Sequence, residues 1–176
     1  MKNPRLAGRY AKSLLDAAIE QNQLDTVRSD IKVLQSIAKT NPDFVALLMS
    51  PVIAKDKKIK IVNAVLTGKI SNITLTFMQL LINKAREYNL PEINTAFTEQ
   101  YNKFKNIEVV KISTAVPVSE EFKIAVINKI KRDTDVQNIE LETVVDVELI
   151  GGIKIEMRGN LVDSTILRDM KDLKKH

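Results

Sequence analysis

The side chains that most often carry chemistry are scarce in this sequence. It contains no cysteine and a single histidine, His176. Nucleophilic catalysis by a Ser-His-Asp or Cys-His set needs an imidazole held by the fold, and zinc sites draw mainly on Cys and His. His176 stands last and reads as a tail residue. Carboxylate pairs remain. Glu140 and Glu142 share one face of a strand pattern, and Asp133 and Asp135 flank a turn. Two carboxylates can divide acid and base roles, but these read as a solvated strand face and a turn whose Asp residues serve the backbone. The pair Gly151-Gly152, inside "VELIGGIKIEMRGN", is the remaining candidate for a phosphate cradle. It matches neither the dinucleotide nor the P-loop pattern. It also opens a strand, whereas a phosphate loop needs a helix N-terminus behind it. Gly151 and Gly152 are therefore read as structural, set by a positive φ or a bend at the strand entry. No catalytic, cofactor-binding or metal-binding residue is assigned, and a non-catalytic protein is expected.

The elements around these residues follow from periodicity. Over residues 1–106, apolar side chains recur every three or four positions. Leu6, Tyr10, Ala11, Leu14, Leu15, Ala18 and Ile19 mark a first helix, and Leu24, Val27, Ile31, Leu34 and Ile37 a second. Asn41 as cap and Pro42 at the first position start a short third helix, which stops before Pro51. A fourth is expected over 56–66 with Gly68 as a left-handed stop. Within it, "KDKKIK" (55–60) reads as a solvated face. Ser71 is expected to cap a fifth helix bearing Phe77, Met78, Leu81, Ile82 and Ala85, and "NLPE" (89–92) opens a sixth with Ile93, Ala96, Phe97, Tyr101 and Phe104. Short loops make this an antiparallel six-helix bundle.

The period changes at residue 107. "IEVVKISTAV" has the β-branched content of a strand. Ser119 caps a helix with Phe122, Val126 and Ile130 on one side. Ile139, Leu141, Thr143 and Val145 alternate with Glu140, Glu142 and Val144, as Ile153, Ile155 and Met157 do with Lys154 and Glu156. Gly159-Asn160 is a hairpin-type turn signal, and Asp163, a structural residue, caps a last helix with Ile166, Met170 and Leu173. The expected fold is an N-terminal all-α six-helix bundle (1–106) followed by a small C-terminal α+β module (107–176).

The charge divides along the same line. Residues 1–106 carry 16 Lys/Arg and 9 Asp/Glu, a net +7, and residues 107–176 carry 11 and 13, a net −2. Modules of unlike charge suit different partners. The basic half admits one competing reading, a nucleic-acid-binding protein, but its lysines are scattered and it lacks a recognition-helix pattern or a basic patch interleaved with aromatics. No apolar run reaches the ~20 residues of a membrane span, and the opening residues lack a signal-peptide core. Both favour a soluble, intracellular chain.

Two stretches carry a likeness. "AGRYAKSLLDAA" (7–18) resembles the opening Ala-x-x-Tyr-Ala helix of the delta subunit of rotary F-type ATP synthases, the oligomycin-sensitivity-conferring protein family. "VELIGGIKIEMRGNLVDSTILRDMKDL" (147–173) is similar to that family's C-terminal signature, with Ser164-Thr165 after Asp163 where members often carry Gly or Ser, then Ser. The resemblance spans the chain in length and layout. It implies a non-catalytic stator subunit that links the catalytic head to the peripheral stalk and resists rotor torque. No cofactor is implied. It further implies that the bundle binds the N-terminal helix of an alpha subunit and the C-terminal module binds subunit b. The location implied is the cytoplasmic face of the inner or plasma membrane, reached only through the complex.

By the same likeness the first and fifth helices line the alpha-binding groove. The expected contacts are Tyr10, Ser13, Leu14 and Ala17 from the first, with Phe77, Leu80, Leu81 and Lys84 from the fifth. In the C-terminal module, Val144, Ile153, Ile155, Ile166 and Met170 can pack on one another or receive subunit b, and the sequence leaves that open.

Overall fold

Helix α1 (Pro4–Glu20) starts where Asn3 Oδ1 accepts the Leu6 N–H at 3.1 Å and Pro4 fills the first turn. Those are the two devices that satisfy or remove free N–H groups at a helix start. The molecule is seen here as a computed structural model, which describes residues 3–114, 117–133, 136, 138–145, 153–157 and 160–161. The chain divides into two compact units, with the boundary between Tyr101 and Asn102.

The first unit is helical. After α1 come α2 (Leu24–Thr40), α3 (Pro42–Met49), α4 (Lys55–Leu66), α5 (Asn72–Asn83), a 3-10 turn at Glu87–Asn89, and α6 (Leu90–Phe104). Their apolar stripes meet in one core. Leu14, Val27, Ile31, Leu34, Val62, Leu66, Met78, Leu81, Ile82, Ile93 and Phe97 are all buried. Burying a side chain of this size contributes about 1.5–3 kcal/mol. Three helices end with a non-glycine residue in the left-handed region: Asn22 (φ 53°), Ala85 (φ 53°) and Asn106 (φ 51°). After α1 and α5 the cap is a Schellman motif. Gln23 N–H donates to Ala18 O and Arg86 N–H to Leu81 O, both at 2.8 Å, which satisfies carbonyls the helix cannot. Gly68, at φ 80°, turns the chain after α4 as expected.

Five expectations for this unit need correction. Ala85, expected on the apolar stripe of the fifth helix, lies beyond the end of α5, exposed and in the left-handed region. Asn41 precedes α3 but its side chain makes no capping bond; its amide donates to Thr40 Oγ1 instead. Ser71 stands at the start of α5 without capping it, because its hydroxyl is drawn to the Asp30 carboxylate. The "KDKKIK" stretch is not wholly solvated: Lys58 is buried. Phe104, expected on the inner stripe of α6, is 53% exposed.

In the second unit β1 (Ile107–Thr114) leads into α7 (Glu120–Asp133), then β2 (Asn138–Val145), β3 (Ile153–Met157) and β4 (Asn160–Leu161), in the sheet order β2-β1-β3-β4. β1 and β2 run parallel, Ile107 opposite Asn138 through Thr114 opposite Val145. A parallel pair needs a crossover, and α7 supplies it. β3 is antiparallel to β1, and β4 to β3 with Met157 opposite Asn160. Ser119 caps α7 by accepting the Phe122 N–H at 3.2 Å. Phe122, Val126 and Ile130 then pack on Val110, Ile112 and Ile155. Asn160 stands inside β4 rather than in a turn. On β2, Ile139 and Leu141 reach this core while Thr143 and Val145 are exposed, so the inward alternation fades toward the strand's end. The chain is thus mostly helical with an α+β tail.

Candidate functional site

The residues expected to bind a partner sit on two helices that pack against each other, α1 and α5. Their burial sorts them into a floor and a rim. Leu14 (2% exposed), Phe77 (7%) and Leu81 (0%) belong to the core and form the floor. Tyr10 and Ala17 are half-buried, with Tyr10 packed on the core. Ser13, Leu80 and Lys84 are exposed, and Leu80, at 42%, is a large apolar side chain facing water. Ser13 Oγ donates to Arg9 O at 3.0 Å, so its hydroxyl folds back on its own helix and leaves a small surface at that position. The arrangement suits an apolar helix face laid across a small-residue strip with an amphipathic side chain at the rim. Among the described residues no three His, Asp or Glu side chains come together to hold a metal ion. No described helix is long and apolar enough to cross a membrane.

Two buried polar clusters join elements of this unit, and the sequence reading passed over both. Asp30 on α2 is 5% exposed and accepts the Ser71 N–H at 3.0 Å, the Thr74 hydroxyl at 2.7 Å and the Ser71 hydroxyl. A carboxylate from α2 therefore caps α5, where the helix dipole favours negative charge. Lys58 on α4 bonds Glu87 at 2.6 Å and Leu48 O at 2.8 Å, joining three elements from inside. Arg28 extends the network from α2 to α6, donating to Thr98 at 3.0 Å and lying 5.4 Å from the Tyr101 ring centroid. Tyr101 in turn donates to Asp25 at 2.8 Å. Helical spacing was a usable signal for Asp30 and Lys58, since Asp30 shares the face of Val27, Ile31 and Leu34, and Lys58 that of Val62.

In the second unit Val144 is exposed and Ile155 fully buried. Gly151, Gly152, Asp163, Ile166, Met170 and His176 lie outside the described residues, as do the side chains of Asp133, Asp135 and Ile153. Glu140 and Glu142 sit on β2 with Glu142 opposite Lys111 on β1, and Lys111 is also opposite Glu156 on β3. Lys154, bonded to Glu156 at 2.7 Å, holds that carboxyl below the usual carboxylate range through its hydrogen bond and its charge, and Lys111 adds to the effect. Glu142 and Glu156 flank Lys111 in a charge ladder across three strands.

The family model for the ATP synthase delta (OSCP) subunit matches residues 6–176. The chain belongs to that family. Among curated relatives of the delta family, ATP synthase subunit delta of Cytophaga hutchinsonii is 33% identical, over 99% of this chain and 94% of its own. The chloroplastic ATP synthase subunit delta of Emiliania huxleyi is 31% identical over 96% and 94%, and ATP synthase subunit delta of Lacticaseibacillus casei is 32% identical over 93% and 90%. A chain of the Toxoplasma gondii mitochondrial ATP synthase hexamer shares the fold, with a TM-score of 0.73 at 21% identity over 97% of this chain and 98% of that one. Membership of the delta family gives no support to the nucleic-acid reading of the basic half.

Proposed function

We propose that this chain is a non-catalytic stator subunit of a proton-translocating ATP synthase. It links the catalytic head to the peripheral stalk and resists the torque of the rotor. The observation that carries this reading is the family match along residues 6–176. On this reading residues 1–106 act as one six-helix bundle and take an alpha-subunit N-terminal helix on the α1–α5 rim. Residues 107–176 hold subunit b. The protein sits peripherally, at the cytoplasmic face of the inner or plasma membrane, and touches the bilayer only through the complex.

The rim supports the alpha contact by its shape and burial. Leu14, Phe77 and Leu81 shape the floor from within the core, so the direct contacts fall to Tyr10, Ser13, Ala17, Leu80 and Lys84. Leu80→Asp puts a charge on a surface that binding dries, while costing the free protein little, since Leu80 already faces water. Tyr10→Ala removes the amphipathic rim. Each should weaken an alpha N-terminal peptide at least tenfold by calorimetry, with the helical circular dichroism unchanged. Unaltered affinity in folded variants places the contact elsewhere. For the whole role the test is reconstitution: stripped heads should rebind the membrane sector and resume proton-driven synthesis only when this protein is added.

A further inference from the structure

Helix α5 carries two of the exposed rim residues, Leu80 and Lys84, at an end that is held together from outside. The last four carbonyls of a helix lack a partner within it. Here three are met by the residues that follow. Leu80 O accepts from Lys84 N–H at 3.0 Å, Leu81 O from Arg86 N–H at 2.8 Å and Ile82 O from Ala85 N–H at 3.0 Å. This turn puts Ala85 in the left-handed region, at φ 53°, where an alanine is strained. The fourth carbonyl, Asn83 O, is met from another helix. Lys55, the first residue of α4, donates to it from Nζ at 2.9 Å. An ammonium group at that end also complements the helix dipole.

A second bond joins the same two helices one turn earlier. Gln79 Nε2 donates to Asn63 Oδ1 at 2.9 Å. Residues 79 and 83 are four apart, so both bonds stand on one flank of α5, about 6 Å apart along its axis at 1.5 Å per residue. Leu80 and Lys84 are also four apart and lie about 100° round the helix from that pair. At its other end α5 is fixed by Asp30, through Ser71 and Thr74. The start of α5 is thus held from α2 and its last turn from α4. Two bonds spaced along one flank fix the rotation of a helix about its axis. The rotation of α5 decides where Leu80 and Lys84 point.

We infer that Lys55 and Asn63 are positioning residues for the α1–α5 rim. They lock the last turn of α5, and so hold Leu80 and Lys84 in place before a partner helix arrives. The inference rests on reading that rim as the alpha-subunit contact, and deepens it. A preformed surface avoids the cost of ordering its side chains on binding. Where the competent orientation falls to about a fifth of the population, affinity falls about fivefold. The buried Phe77, Met78, Leu81 and Ile82 keep α5 on the core, so loss of either bond loosens the rim without unfolding the helix.

The test uses the full-length protein and a peptide of the alpha-subunit N-terminal helix. Lys55→Met and Asn63→Ala should each weaken peptide binding about fivefold by calorimetry, with the helical circular dichroism unchanged. Asn63→Ala alters no charge, which separates positioning from a direct attraction to the peptide. Lys55→Arg, whose guanidinium still reaches Asn83 O, should bind as the unaltered protein does. In a Leu80→Ala background the effect of Lys55→Met should shrink to about twofold or less, because it acts through the rim. An equal loss in both backgrounds overturns the inference. In the free protein Lys55→Met should speed amide hydrogen exchange at Ala85 and Arg86 about fivefold, and unchanged exchange overturns the inference with no partner present. Leu80→Asp tells the two readings apart. A loss of affinity in Leu80→Asp beside none in folded Lys55→Met overturns the positioning role and leaves the rim reading standing. No loss in either overturns both.

Discussion

At the residue scale the polar core was the part hardest to read from sequence and the part with the sharpest consequences. Asp30 was visible only as a charge on an otherwise apolar helical face; its partners, Ser71 and Thr74, are 41 and 44 residues away and reach it only once α2 and α5 pack. Ser71 looked like an ordinary cap because a cap is judged by its neighbours in sequence. Asp30→Ala removes the carboxylate and strands a backbone N–H and two hydroxyls, so it should cost about 2–3 kcal/mol, with Asp30→Asn milder, by urea unfolding followed at 222 nm. Lys58 and Glu87 behave differently. Removing either alone leaves an unpaired buried charge and should cost about 3–5 kcal/mol, whereas Lys58→Met with Glu87→Leu should recover most of it. Equal losses in the single and double variants would show that the ion pair is not what holds α3, α4 and the 3-10 turn together. Glu156 gives the pH dependence. Its carboxyl titrates lower in the folded protein because Lys154 and Lys111 stabilise its charged form. The stability it adds is therefore present above the unfolded carboxyl pKa and is lost as pH falls through the lower folded value. Screening by solvent keeps that contribution small. Lys154→Ala should move the Glu156 titration upward toward the usual range in carbon-detected NMR.

Elements were the most legible level, since each rests on local rules. The helix stripes, the break before Pro51, the left-handed Gly68, the Ser119 cap and the switch from helical period to alternation at residue 107 all follow from neighbours a few positions apart. The expectations that failed did so where tertiary partners intervened: Asn41 turned to Thr40, and the end of β2 stayed exposed although its pattern alternates. One helix end escaped notice for a local reason. α5 closes with Ala85 at φ 53°, a conformation that places a Cβ against the following carbonyl and that glycine adopts freely. No Gly or Asn stands at position 85, so the apolar stripe runs on to Ala85 with no sign of the stop. The strain persists because Arg86 N–H and Ala85 N–H both find carbonyls of the last turn, at Leu81 and Ile82. Ala85→Gly should therefore stabilise the protein by about 0.5–1 kcal/mol, seen as a rise in melting temperature. A decrease would mean that the alanine methyl makes a packing contact worth more than the strain. Ser119→Ala should act the other way, costing about 1 kcal/mol through the lost α7 cap.

At the scale of the whole molecule the two units differ in how much core they own. Among the described residues, twenty-one buried hydrophobic side chains form the core of the first unit and five that of the second. On the stator reading, subunit b adds burial to the second unit. The boundary between Tyr101 and Asn102 falls inside α6, so a fragment meant to stand alone must run past it. Tyr101 ties α6 to α2 through Asp25 and Arg28 and stacks on Phe97 of its own helix, ring centroids 6.4 Å apart, and Asn106 closes the helix in the left-handed region. A fragment of residues 1–106 should accordingly unfold cooperatively and keep alpha-peptide binding. One of residues 1–98, which loses the Tyr101 anchor, should melt at lower temperature by the equivalent of about 2 kcal/mol or more. A fragment of residues 107–176 should show no cooperative melt alone and acquire one when the soluble part of subunit b is added, since binding only the folded form shifts the equilibrium toward it. A sharp melt of 107–176 in isolation would place the added burial within the chain itself, in residues 146–152 or 162–176, and would make its hold on subunit b a docking of preformed surfaces rather than a coupled folding.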